Sequence, residues 1–271
     1  MNLWRAMGLE GKRVLIVHHD DLGLTEAQNR AYQELPYPTG SVLMPGAWAP
    51  QLREGDLGVH LTLTSEWAFP RMRPLTTGRS LHDEQGYLWQ SLENVWTHVE
   101  AEEAEVELRA QIELALRLRI DVTHVDTHMG AVGRPDLAMA YQRLALQYRL
   151  PAVLPDAVTL DRSGLPDELK LALNDVLDKS PLPRVTVLDD YNGKPEHRRE
   201  RYIELLSQAG PGVYHFIHHA AAPTAEGRQL PDWECRKADM EALADPTVIR
   251  VINEFTLLTY REVREALRTY L

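Results

Sequence analysis

Residues 14 to 28 read VLIVHHDDLGLTEAQ, an apolar run ending in four consecutive ionisable side chains: His18, His19, Asp20 and Asp21. Adjacent carboxylates repel one another and resist desolvation, so an enclosed pair needs a nearby positive charge. More residues of the same kind follow the later apolar runs. His60 lies in LGVHLTL, Asp126 and His128 close VTHVDTH, and His215, His218 and His219 fall in or just after GVYHFI. One carboxylate with two imidazoles forms a metal triad with open positions, which suits zinc or another first-row divalent ion better than magnesium. A dication would let one of Asp20 and Asp21 serve as a ligand while the other handles the proton of an activated water.

Taken singly, these residues have plainer readings. A lone histidine such as His60 in an apolar strand is commonly a hydrogen-bonded core residue. Asp21, with Gly23 and Thr25 after it, also fits a turn leading into a helix. Alternation along a strand sends His18 and His19 to opposite faces and lets His124, Asp126 and His128 share one. What unites the candidates is their position at strand ends.

The elements that would carry them alternate in type. Strand-like runs occur at 13–17, SVLM, 57–63, 122–128, 152–154, 184–188, 212–217 and 248–252. Helical patterns occur at 25–35, 100–119, 136–148, 196–208, 235–244 and 260–270, with Thr25 and Gln28 spaced as a capping box. In the 100–119 helix, Leu108, Ile112, Ala115 and Leu116 form an apolar stripe. Such alternation predicts an α/β fold with mainly parallel strands, whose C-terminal ends share one rim. Two stretches, 66–90 and more weakly 155–183, lack periodicity and read as long loop excursions. The expectation is one domain over residues 1–271.

Bulk properties narrow the partners. The chain has 271 residues and a formal net charge of -11. Nucleic acid and anionic membranes are disfavoured, because phosphate recognition needs basic patches. A single cysteine, Cys235, cannot form an internal disulfide and reads as a packing residue. The first residues lack a signal-peptide core, and no apolar run approaches the ~20 residues of a membrane span. These features predict a cytoplasmic protein acting on a small molecule, and a homodimer is allowed.

At the ionisable segments the sequence resembles the YdjC-like carbohydrate deacetylases, which include chitooligosaccharide deacetylase. HHDDLGLTEAQNRA is similar to the family's Asp-Asp-x-Gly opening, TGSVLM to its next strand, and LGVHLTLT to its Gly-x-His-Leu-x-Leu-Thr segment. LHDEQGYLW, ELRAQIELALRLRIDVTHVDTHMG and ECRKADMEALADPTV resemble later segments in the same order, the last with Arg236 at the family's arginine position. The resemblance implies a distorted (β/α) barrel with Asp21, His60 and His128 as ligands of one divalent ion, zinc or magnesium. It implies Asp20 as catalytic base and an N-acetylated sugar as substrate. His219 is the candidate general acid, with His215 and His218 as rivals. Asp126 is a candidate to orient a ligand histidine, and Trp67 a candidate sugar platform.

Three departures stand out. His18-His19 replaces the family's Asn-Ala, Gly130 stands where a further histidine is frequent, and His219-Ala220-Ala221 replaces His-Pro-Gly, with His215 at the preceding glutamate. His18 and His19 are therefore expected to alter substrate choice. Two rival functions keep the same residues: a metal-dependent ester or phosphoester hydrolase, and a sugar-binding protein with a vestigial site.

Overall fold

The first strand, β1 (Arg13–Leu22), is buried at every position after Arg13, the pattern of a strand covered on both faces. The computed structural model describes residues 3–270. It contains six further strands: β2 (Thr39–Val42), β3 (Asp56–Leu61), β4 (Val125–Thr127), β5 (Thr186–Leu188), β6 (Gly212–His218) and β7 (Thr256–Leu257). The sheet order is β4-β3-β2-β1-β6-β5, and β7 pairs with β1 at Val14 and Leu15. All of these pairings are parallel.

Residues 151–156 join the two edges of this curled sheet. Val125 N donates to Pro151 O at 2.9 Å and Val153 N to Val125 O at 3.0 Å, while Val185 N donates to Leu154 O and Asp156 N to Val185 O, both at 2.9 Å. The result is the expected distorted barrel. The 152–154 run is not a regular strand, however, and makes only isolated bridges at Ala152 and Pro155.

Alternation sorts β1 into two environments. Leu15 and Val17 pack outward with Tyr202, Leu206, Phe216, Leu243 and Val248, under the helices Arg198–Gln208, Trp233–Ala244 and Pro246–Ile252. Val14, Ile16, His18 and Asp20 share the other face.

Four local expectations change. VIRVI at 248–252 is helix rather than strand. Asp245 caps Thr247 N at 2.7 Å, Pro246 occupies the first turn, and Val248, Val251 and Ile252 bury at helical spacing. The 155–183 excursion holds two helices, Ala157–Arg162 and Asp167–Asp178, the first capped by Asp156. Thr25 does cap its helix through Ala27 N, but Gln28 bonds the Thr25 hydroxyl instead of completing a reciprocal box. Leu116 is exposed, so the stripe on Ala101–Arg117 is carried by Leu108, Ile112 and Ala115.

The 66–90 stretch is largely irregular, as expected, with one short turn at Arg79–Leu81. Carboxylates of the neighbouring helix pin it. Glu107 accepts from Leu75 N and Thr76 N at 3.0 and 2.9 Å, and Glu103 from Ser80 N at 2.8 Å. No helix among the described residues is long and apolar enough to cross a membrane.

Candidate metal centre and catalytic cleft

A cleft of about 380 Å³ opens at the C-terminal rim, and Asp20, Asp21, His60, His128 and His219 all line it. Two consecutive aspartates reach one cleft because β1 changes register against β2 between His19 and Leu22. Bulges of this kind re-aim side chains at strand ends. Asp21 itself is left-handed, with φ of 62°, a conformation that costs a non-glycine residue about 1 kcal/mol or more. Gly23 completes the turn at φ of 87°, where an added Cβ would lie 2.9 Å from Ala49 Cα.

Asp21, His60 and His128 form a buried group whose ligand atoms are close enough to share an ion. Each has a second contact that fixes it. Asp21 Oδ2 accepts from the Arg236 guanidinium at 2.7 Å. Its Oδ1 is buried without a hydrogen bond, 3.1 Å from His128 Nδ1 and 3.4 Å from His60 Nε2. His60 turns Nδ1 to Asp126 Oδ2 at 2.9 Å and to Ser41 Oγ at 3.0 Å, leaving Nε2 toward the triad. His128 turns Nε2 to Glu66 at 3.0 Å. Carboxylates behind imidazoles set tautomer and raise basicity in metal sites. An orphaned carboxylate oxygen facing two oriented imidazoles fits a divalent cation.

The electrostatics agree. Burial works against the Asp21 carboxylate, yet Arg236 and His128 hold its pKa well below the ordinary value. Burial also opposes charge on His60, but Asp126 and Asp20 raise its pKa well above 6.5. His128 is raised to about 9 by Glu66 and Asp21 against the same burial penalty. With no ion bound, the neighbouring carboxylates favour the protonated form of both imidazoles, and a ligand imidazole must give its proton up. Metal uptake at pH 7 should release about two protons, and the apparent association constant should rise about 100-fold per pH unit. The release should fade as pH passes about 9 for His128. Calorimetry in buffers of different ionisation enthalpy measures this. Uptake without proton release would contradict the protonated pair.

Asp20 stands beside the triad. Its Oδ1 meets His18 Nδ1 at 2.6 Å, and its Oδ2 lies 3.8 Å from His60 Nε2 and 3.9 Å from His219 Nε2. His219 sits at the mouth, with its ring 4.7 Å from that of Tyr191 and its backbone N donating to Asp239 at 2.7 Å. Trp67 does not line the cleft; its ring lies under the Arg236 guanidinium at 5.1 Å.

Four candidate histidines lie elsewhere. His19 and His218 are paired in register on the outward face of the sheet, with rings 4.4 Å apart, and His19 meets Ala220 O at 2.8 Å. Burial holds the His19 pKa down at about 3, so it stays neutral in its packed layer. His124 and His215 are buried beneath Asp20 in the barrel interior. His18 is also fully buried there. Neither His18 nor His19 lines the cleft, so any influence of theirs on substrate choice would have to act through other residues.

Glu66, Asp189 and Tyr191 line the cleft without having been singled out. Asp189 and Asp190 follow the 184–188 run much as Asp20 and Asp21 come at the C-terminal end of β1, so the strand-end rule would have found them. Glu66 had no such signal, lying in the aperiodic stretch.

Comparison with known proteins adds lineage to this geometry. A carbohydrate deacetylase of Thermus thermophilus is 54% identical over 267 residues, covering 98% of this chain and all of that protein. One from Thermoanaerobacter pseudethanolicus is 25% identical over 257 residues, covering 91% and 96%. The crystal structure of a candidate cellobiose-phosphate cleavage protein from Enterococcus faecalis superimposes with a TM-score of 0.71 at 22% identity, covering 93% of this chain and 99% of that one. That likeness speaks for the fold alone. The family model described as YdjC-like protein matches residues 14–267, and with the Thermus relative this shows that the chain belongs to the YdjC-like family.

Proposed function

We propose that this chain is a divalent-metal-dependent carbohydrate deacetylase that hydrolyses an acetamide on a small N-acetylated sugar. The observation that carries the reading is the orphaned Asp21 Oδ1 between His60 and His128, beside a second carboxylate, Asp20, in an open cleft. The 54% identical relative named carbohydrate deacetylase supplies the substrate class. Asp21, His60 and His128 would hold zinc or magnesium, and the ion would supply Lewis acidity and a water acidified toward a pKa of ~7.

The chain's own groups handle the protons. Asp20 Oδ2 takes the proton of the attacking water as the C–O bond forms. The C–N bond then breaks, and the leaving amine takes a proton from His219, which faces Asp20 Oδ2 across 3.9 Å. Asp126 and Glu66 hold the ligand imidazoles in place. The cleft's own carboxylates, Asp20, Asp21, Glu66 and Asp189, argue against a phosphoester, whose charge they would repel.

The test is acetate release from N-acetylglucosamine oligomers and related acetamido sugars, with metal content varied. Acetate should appear only with metal-loaded protein. His128→Ala should lose both metal, by elemental analysis, and turnover. Absence of acetate with zinc and with magnesium, while sugars still bind, would leave a binding protein.

A further inference from the structure

Beneath Asp20 the barrel holds side chains that a strand core does not require. His18, His124 and His215 are each 1% exposed or less, where aliphatic residues would pack without a desolvation cost. None of the three lines the cleft.

Their hydrogen bonds form a chain that ends on Asp20. Thr123 Oγ lies 3.0 Å from His124 Nδ1, His124 Nε2 lies 2.7 Å from His18 Nε2, and His18 Nδ1 lies 2.6 Å from Asp20 Oδ1. An ionised carboxylate can only accept, so His18 carries its proton on Nδ1 and donates it to Asp20. If His18 is neutral, its Nε2 accepts from His124, whose Nδ1 accepts from the Thr123 hydroxyl. If His18 is charged, the His124 and Thr123 bonds reverse. The bond to Asp20 is the same in both cases.

The surroundings hold this chain in one arrangement. The Tyr260 ring stacks on His124 at 4.0 Å and 24°, and its hydroxyl meets His215 Nδ1 at 2.9 Å. The His215 ring lies 4.4 Å from that of His18. On the adjacent strand β3, level with His124, a Cβ at Gly58 would come within 2.5 Å of the His124 ring, so only glycine leaves room for it. Residues from β3, β6 and the last helix thus pack around the His18–His124 pair.

We propose that His18 is a positioning residue for Asp20, and that His124 positions His18 in turn. The bond to Oδ1 stops rotation of the carboxylate and keeps Oδ2 facing His60 and His219 at the cleft. This inference rests on the reading of Asp20 as base. It gives the buried histidines a role in turnover without substrate contact.

The test compares His18→Leu, His18→Asn, His124→Leu and His124→Gln for kcat, KM, bound metal and thermal stability. His18→Leu should lower kcat about 10- to 100-fold, as expected for losing a hydrogen bond to a charged group and its orientation. KM and metal content should hold. His18→Asn, whose amide can donate to Asp20, should recover most of the loss, and His124→Gln should outperform His124→Leu. In an Asp20→Asn background, His18→Leu should cost little more.

Equal damage from Leu and Asn at position 18 would reduce His18 to packing and overturn the proposal, as would unchanged kcat in His18→Leu. Because His18, Asp20, Asp126 and His215 are themselves close enough to grip an ion, two metals per chain, one lost in His18→Leu, would also overturn it. Failure of the base reading shows separately, as an Asp20→Asn variant that still turns over.

Discussion

Asp20→Asn should lower kcat by about 10²- to 10⁴-fold, the usual worth of a general base, while leaving one metal per chain. The substitution is nearly isosteric, and the amide oxygen can still accept from His18 Nδ1, now 2.6 Å from Asp20 Oδ1. What disappears is the ability to take a proton. Metal should stay because the ion's proposed ligands are Asp21, His60 and His128, and Asp20 Oδ2 stands 3.8 Å from His60 Nε2 rather than within the triad. Asp21→Asn provides the contrast. It removes the carboxylate charge, and with the amide oxygen kept on the Arg236 guanidinium it turns an NH2 toward the two imidazoles, so it should lose the metal together with turnover. Steady-state kinetics and elemental analysis on both variants separate the roles. Near-normal turnover in Asp20→Asn would falsify the base assignment, and loss of metal in that variant would make Asp20 a ligand.

Why the adjacent aspartates could be told apart only in part from sequence is a matter of backbone geometry. Strand alternation correctly split His18 from His19, because β1 is regular as far as His19. Beyond that point alternation would send Asp20 and Asp21 to opposite faces. The register change before Leu22 and the left-handed Asp21 bring both to the rim, and no residue pattern announces such a bulge. The parallel α/β sheet was legible because its strands are apolar runs bounded by helices of 3.6 periodicity, whereas its closure into a distorted barrel was implied only by the family resemblance. VIRVI misled because β-branched residues favour strands, whereas Asp245 and Pro246 ahead of it start a helix. Glu66 escaped notice because its role depends on where an irregular loop returns to His128, a contact 62 positions away. Long-range pairing of that kind leaves no local periodicity to read.

Arg236→Met should destabilise the metal-free protein by about 3 kcal/mol, and added metal should restore much of the loss. Arg236 is 1% exposed and spans two carboxylates, Asp21 Oδ2 at 2.7 Å and Asp232 Oδ2 at 2.8 Å. Removing one partner of a buried ion pair typically costs about 3–5 kcal/mol, because the other charge is left uncompensated. The lower end applies here, since His60 and His128 stay beside Asp21 and their pKa values lie above the ordinary histidine value. Loss of the Trp67 contact, worth roughly 0.5–1 kcal/mol, is included in that figure. For a chain of this size, a 3 kcal/mol change lowers Tm by roughly 6–12 °C. A divalent ion on Asp21 Oδ1 would take over the neutralisation, so the gap between variant and parent should narrow when metal is added. Thermal unfolding of both proteins with chelator and with metal measures the difference. A gap that metal leaves unchanged would show that Arg236 acts through Asp232 and Trp67 alone, and that Asp21 does not depend on it for charge balance.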